Sequence, residues 1–311
     1  MINFRYHVVS LTAVFLALAI GLVVGTAALN GPVADSLKSQ ISALSKDNSN
    51  KRDQINQYRD ELNKNQDFAT QIAPAYLNNQ LAGRKILVVA LPNTSEYADG
   101  VISMLKVAGA TVTAKITVQD KFFDPNSTYE LLDLAGQSSQ PTIQMEGLPL
   151  NSDGVETASA QLALGLLQRA GAAQASADDV AALLTAYTKQ GYLAVGDNAV
   201  GGAEGTVIVS GEPPTDKDAA KKNQSAVTMA TQFGKNKPLV VSGVEVGDGN
   251  LISGVRGDPK LVKEISTVDN ASTAQGQVAT AVVTAERMVQ NKVGQYGLGP
   301  GASSLVPKAA A

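Results

Sequence analysis

An uncharged segment, residues 8–29, limits what this chain can fold into more than any other feature. As a helix it would be about 33 Å long, enough to cross a hydrocarbon core of about 30 Å. Arg5 precedes it, and the next charged residue is Asp35. The positive-inside rule therefore places residues 1–7 in the cytoplasm and the bulk of the chain outside. We expect a single-pass protein of the inner (cytoplasmic) membrane.

Two other interpretations of this segment remain open. Thr26-Ala27-Ala28 resembles a signal-peptide cleavage site, and cleavage would leave the mature protein in the outer envelope. The apolar core of a signal peptide is usually about 7–15 residues, shorter than this run, which favours a retained anchor. The segment is also compatible with a buried helix of a soluble protein.

Small residues recur at every fourth position within the predicted span. Gly21 and Gly25 have the spacing that allows two helix backbones to approach closely in lipid. We therefore expect lateral helix packing, although small residues are common in any membrane helix. The predicted packing residues are Ala13, Ala17, Gly21 and Gly25.

The next segment, residues 35–73, has the pattern of a coiled-coil helix and is called the stalk here. Its seam positions follow one another in alternating steps of three and four, with mixed charges between them. Pro74 is expected to end the helix. The predicted seam residues are Leu37, Ile41, Leu44, Asn48, Lys51, Ile55, Tyr58, Leu62, Asn65, Ala69 and Ile72.

The seam is imperfect, because Asn48, Lys51 and Asn65 are polar. Polar seam residues lower stability but fix register or the number of strands. We expect the seam to pair with a second copy of the chain or with a helix of another protein. The alternative is a lone solvated helix with accidental periodicity.

From Arg84 onwards, short apolar runs alternate with helical segments. The strand 86–91, the helix 96–108 and the strand 110–118 form a first βαβ unit. Continuously apolar strands predict an α/β domain over 84–298, with a mostly parallel sheet flanked by helices, and a flexible tail over 299–311. Other predicted helices are 155–170, 177–189, 215–233, 259–265 and 271–291, and other strands are 191–195, 205–210 and 238–243.

The residue types exclude several classes of function. The chain has no Cys, and its single His, His7, lies at the membrane edge, so neither a thiol nucleophile nor a histidine base is available in the domain. A net charge of -3 and 5% aromatic residues give no surface for nucleic acid. Neither a phosphate-binding glycine motif nor G-x-S-x-G follows a strand. We expect no enzymatic activity, no cofactor and no metal site.

Any ligand of such a sheet would lie beyond the carboxyl ends of its strands. The loops predicted there are 92–96, 196–198 and 211–214. Carboxylates near strand ends are more often turn or cap residues than catalytic groups. Those concerned are Asp197, Glu212, Asp258 and Asp269.

Motifs at both ends of the chain resemble those of the actinobacterial MctB/SteB family. They are FRYHVVSL at 4–11, AVFLALA at 13–19, STVDN at 266–270, GQVA at 276–279 and GQYG at 294–297. The resemblance covers essentially the whole chain, in the order anchor, stalk and α/β domain. The signature residues are Phe4, Arg5, His7, Asp269, Asn270, Gly276, Tyr296 and Gly297.

The resemblance implies two different functions. Family members are described as copper transport proteins, proposed to form a pore in the mycobacterial outer membrane. They are also described as SteB, which works with the membrane protein SteA at the division septum and helps to control a RipA-like peptidoglycan hydrolase through coiled-coil contacts. Gln295 departs from the family pattern, which has His before this Tyr-Gly, and the departure removes a potential metal ligand.

The residues favour the second function. One spanning helix does not close a pore, and the scattered Met residues do not form a soft-metal site. A coiled-coil seam just outside an inner-membrane anchor fits a septal scaffold. We therefore expect a membrane-anchored envelope scaffold that pairs with itself or with a SteA-like membrane protein, with copper efflux as the alternative.

Overall fold

The chain forms two compact units, Met1–Lys64 and Asn65–Ala311. This computed structural model describes residues 4–143, 145, 151–169, 171, 173–235 and 237–308.

Helix α1 runs from Phe4 to Leu77, and almost all its described side chains in the first unit are exposed. The prediction that Pro74 ends the helix is wrong by three residues. Proline removes one backbone donor, but the helix continues because Ala73 and Leu77 are fully buried in the domain core. It ends before Asn78 and Asn79, which have φ values of 20° and 56°. Asn adopts such positive φ values more readily than most residues.

The second unit contains a seven-stranded sheet in the order β3-β2-β1-β4-β5-β6-β7. Every neighbouring pair is parallel except β2 with β3, so the predicted α/β fold with a mostly parallel sheet is confirmed. The direction of winding reverses between β1 and β4. The strands are β1 Lys85–Ala90, β2 Thr111–Val118, β3 Leu193–Val195, β4 Gly205–Ser210, β5 Leu239–Gly243, β6 Ser266–Val268 and β7 Gln295–Tyr296.

Helices cover both faces of the sheet. The end of α1, together with α2 and α9, shares one buried apolar cluster, and α3 to α7 share the other. Strand β1 contributes side chains to both clusters, because successive residues of a strand point to opposite faces of the sheet. Ile86 and Val88 belong to the first cluster, whereas Leu87 and Val89 belong to the second. The helices are α2 Ser95–Val107, α3 Thr128–Gln137, α4 Gly154–Leu166, α5 Ala177–Lys189, α6 Ala219–Gly234, α7 Leu251–Gly257, α8 Leu261–Glu264 and α9 Ala274–Ala285, with a π-helical turn over Glu286–Gln290.

Both ends of the domain differ from the sequence prediction. The compact unit begins at Asn65 rather than at residue 84, because Ala73, Leu77 and Leu81 are core residues. The described part of the tail that was predicted to be flexible, 299–308, forms backbone hydrogen bonds with the end of the domain. The backbone N–H of Ser303 donates to the Gln295 carbonyl at 2.7 Å, and that of Gly297 donates to the Ser304 carbonyl at 2.9 Å.

Polar side chains shift several predicted boundaries. Helix α6 starts at Ala219 rather than 215, because Asp216 accepts a hydrogen bond from the Asp218 N–H at 2.8 Å and forms a turn first. Helix α9 starts at Ala274 rather than 271, where the Thr273 hydroxyl accepts from the Gly276 N–H. Helices α3 and α7 and strands β6 and β7 were not predicted, whereas α5 and β4 have the predicted bounds.

The core tyrosine Tyr187 predicts a specific response to pH. Its hydroxyl donates to Gln161 Oε1 at 2.7 Å, and burial raises its pKa well above the ordinary value of 10.0. Above pH 10 the unfolded chain loses this proton first, so stability falls by about 1.4 kcal/mol per pH unit for this group. Tyr187→Phe should cost about 1–3 kcal/mol at pH 8, because Gln161 Oε1 loses its donor, and much less at pH 11. Urea unfolding at both pH values measures this; an equal cost at both would contradict it.

Candidate functional site

The apolar part of α1, Phe4–Ala27, is long and apolar enough to span a membrane, a property that signal sequences share. Its signature residues Phe4, Arg5 and His7 are exposed at the start of the helix. Among the predicted packing residues, Ala13, Ala17 and Gly21 are exposed and Gly25 is half-buried. A Cβ at either glycine would have no neighbour within 4 Å, so lateral packing stays a prediction.

The seam carries a row of exposed apolar side chains along the first unit. The exposed fraction is 67% for Leu44, 49% for Ile55 and 51% for Leu62. At the polar position Lys51, the ammonium pairs within the helix with Asp47 at 2.8 Å. The remaining exposed seam residues of this unit are Leu37, Ile41, Asn48 and Tyr58.

The carboxyl-terminal end of the seam belongs to the second unit. Ala69 is buried, with 7% exposed, whereas Ile72 is 44% exposed. Ala69 therefore cannot contribute to pairing while the domain is folded. Asn65, the first residue of the second unit, is the last exposed seam position before the buried Ala69.

A crevice of about 530 Å³ lies in the second unit, where the winding of the sheet reverses. Two of the three loops predicted from the sequence, 92–96 and 211–214, contribute to it, while 196–198 follows the antiparallel edge strand β3 and is not part of its lining. Such a position is the usual ligand site of doubly wound sheets. Its lining includes Asn93, Tyr97, Asp120, Ser210, Glu212, Asp216, Lys222 and Asn250.

Charged and polar contacts hold the crevice in shape. Lys222 Nζ lies 2.5 Å from Asp216 Oδ2, and this hydrogen bond lowers the pKa of Asp216 and raises that of Lys222. The Thr94 hydroxyl donates to the carbonyls of Leu91 and Val209, which joins the ends of β1 and β4. Thr94 makes no side-chain cap on α2, which begins beside the crevice.

The carboxyl-terminal signature centres on a buried ion pair. Asp269 Oδ2 lies 2.8 Å from Arg256 Nη1, and the two side chains are 1% and 7% exposed. Asp269 also accepts from the N–H groups of Leu298 and Gly299. Arg256 donates to the carbonyls of Tyr296 and Pro300 at 2.8 Å each. These contacts fix β7 and the following segment against the sheet.

The signature glycines and tyrosine support the same arrangement. A Cβ at Gly297 would lie 2.2 Å from Asp269 Oδ1, and one at Gly276 would lie 1.9 Å from the Asn270 carbonyl oxygen. The Tyr296 hydroxyl donates to Glu286 at 2.6 Å. The signature residues in this part of the chain therefore have structural roles.

Other side chains singled out in the sequence are also structural. Gln295 donates to the carbonyls of Val262 and Ile265 at 3.0 Å each. Asp258 accepts from the N–H groups of Lys260 and Leu261, which lowers its pKa and begins α8. In the part of the chain that the structure describes, no three His, Cys, Asp or Glu side chains group as metal ligands.

Arg256 and Ser210 are the residues that the sequence analysis missed. Arg256 lies in the unpredicted helix α7, thirteen residues from its partner, and no spacing rule links the two. Ser210 ends a strand that was predicted correctly, but only the structure shows that its hydroxyl is buried without a partner.

A helix long and apolar enough to span a membrane, a following helical stretch with exposed apolar side chains and a doubly wound α/β domain define the class of this protein within the residues that the structure describes. The chain belongs to the MctB family, since the family model described as "Copper transport outer membrane protein, MctB" matches residues 1–307. Relatives named "Copper transporter MctB" from Mycobacterium tuberculosis and Mycobacterium bovis are 28% identical over 317 residues, covering 98% of this chain and 99% of theirs. The protein of that name from Mycobacterium leprae is 26% identical over 315 residues, with the same coverage.

Proposed function

We propose that this chain is a non-enzymatic envelope scaffold, anchored in the inner membrane by Phe4–Ala27, that acts by pairing its stalk with a helix of a membrane partner. The supporting observation is the row of exposed apolar seam residues, of which Leu44, Ile55 and Leu62 are examples. A helix with such a face is stabilised when a second helix covers it.

The partner of this proposal is a SteA-like membrane protein, with a second copy of the chain as the alternative. Pairing at the division septum would position the α/β domain and regulate a RipA-like peptidoglycan hydrolase through coiled-coil contacts. The support is the family resemblance of the two terminal motifs together with the seam. Genetic removal of the seam alone, with the anchor and domain retained, is expected to give the same septation defect as deletion of the whole gene.

The intact mass of the mature protein tests whether the anchor is retained. We expect a mass that includes residues 8–29, because this uncharged run is longer than a signal-peptide core. The measurement is mass spectrometry of protein purified from its own membranes. A chain that begins after Ala28 would contradict inner-membrane anchoring.

Copper transport across the envelope is the second candidate function. It is favoured by the family description and by the names of the mycobacterial relatives. Copper would be cargo, and the absence of Cys together with the single His leaves few soft ligands in the chain. This candidate predicts that deletion raises cell-associated copper and that the purified protein conducts ions in bilayers. If neither occurs, copper transport is rejected.

A further inference from the structure

One residue that lines the crevice at the reversal of sheet winding, Ser210, has a buried hydroxyl without a partner among the described residues. Ser210, the last residue of β4, lines the crevice and is 2% exposed. Its Oγ makes no hydrogen bond within the described residues, while its carbonyl accepts from the Val244 N–H at 3.0 Å. Buried polar groups nearly always make a hydrogen bond, so an unpartnered hydroxyl on a residue that lines a cavity indicates that a ligand supplies its hydrogen-bond partner.

Backbone donors lie at the same end of the sheet. Helix α2 has 13 residues, and Asn93 and Tyr97, on either side of its start, line the crevice. The Thr94 hydroxyl donates to two carbonyls, and its oxygen accepts no hydrogen bond from the N–H groups of this helix. The free N–H groups and the helix dipole favour a carboxylate or another anion at this position.

The charges around the crevice favour a cation as well. Its lining carries Asp120, Glu212 and Asp216 against one ammonium, Lys222. Lys222 is engaged by Asp216, and within the described residues neither Asp120 nor Glu212 forms an ion pair within 4 Å. Asp120 also attracts Lys222, but neither Asp120 nor Glu212 is held in an ion pair, so both can face an added ammonium group. The described lining holds no unpaired lysine that would compete for it.

We propose that this crevice binds a small zwitterion, an amino acid or a short peptide. Its carboxylate accepts hydrogen bonds from Ser210 Oγ and the amino end of α2, and its ammonium faces Asp120 and Glu212. The volume of about 530 Å³ is within the range of small-molecule sites. Ligand binding in the crevice does not depend on pairing of the stalk, so failure of one proposal would leave the other unaffected.

Calorimetric titration of the full-length protein tests the proposal with probes of two sizes. L-alanine is compared with propionate and ethylamine, and meso-diaminopimelate is compared with pimelate and cadaverine. Propionate and pimelate lack the ammonium groups, whereas ethylamine and cadaverine lack the carboxylates. We expect at least one zwitterion to bind, with each of its two analogues at least tenfold weaker. Absence of binding by both zwitterions at about 10 millimolar, which corresponds to a binding free energy weaker than about 3 kcal/mol, would overturn the proposal. Equal binding of an analogue would also overturn it.

Two orphaned hydroxyls on β4 provide a matched pair of variants. Ser210→Ala should lower zwitterion affinity at least tenfold and leave the melting temperature unchanged or raised, because a buried unsatisfied hydroxyl is removed. Thr206 is also 2% exposed with an unpartnered hydroxyl, but it does not line the crevice. Thr206→Val should leave the affinity unchanged. Wild-type affinity in folded Ser210→Ala, or an equal loss in both variants, would refute the assignment.

Discussion

Replacement of Leu44 and Ile55 by Asp in one chain is expected to abolish recovery of the stalk's partner. Burial of each apolar side chain at a helix interface contributes about 1.5–3 kcal/mol, and the introduced carboxylates would be desolvated there. Together these effects lower affinity by more than about a hundredfold. The measurement is quantitative co-purification from solubilised membranes.

The matched control for this pair is Lys46→Asp. It makes the same change in formal charge as the double variant, but Lys46 lies outside the seam. Co-purification should therefore remain at the wild-type level. Circular dichroism should show a folded α/β domain in both variants, since all these residues precede Asn65. Full partner recovery with the Leu44 and Ile55 substitutions would rule out the seam as the interface.

Arg256→Met should destabilise the α/β domain by about 3–5 kcal/mol, since it leaves Asp269 buried without its counter-ion. The same substitution removes the donors to the carbonyls of Tyr296 and Pro300. We expect a corresponding fall in the free energy of unfolding, measured with urea on the full-length protein.

Lys221→Met is the control for this substitution. Lys221 lies 3.8 Å from Asp218 and its side chain is 72% exposed, so this ion pair should contribute less than about 1 kcal/mol. If Arg256→Met changes stability no more than Lys221→Met does, the buried pair is not what holds the carboxyl-terminal signature in place.

The fold was largely predictable because its central strands β1, β4 and β5 are buried on both faces. Residues 205–210 form one such run, and it became β4 with the predicted bounds. By contrast, β6 and β7 contain three and two residues, too few for a period to be recognised. Their pairing depends on the contacts of Arg256 and Asp269, which sequence spacing does not reveal.

The candidate sites were predictable to different degrees. The seam follows from its spacing, but its end does not, because burial of Ala69 depends on how the helix packs into the domain. The position of the crevice follows from the general rule for parallel sheets. Its chemistry does not, since the orphaned hydroxyl of Ser210 and the engagement of Thr94 are tertiary properties.

Photo-crosslinking in the native membrane tests most directly whether the seam is an interface. The chain carries p-benzoylphenylalanine either at Ile55, in the seam, or at Asp53, on the face of the helix opposite the seam. If the seam is an interface, we expect a discrete adduct with a membrane partner, or with a second copy, from position 55 and none from position 53. Equal yields at the two positions, or no adduct from position 55, would contradict it.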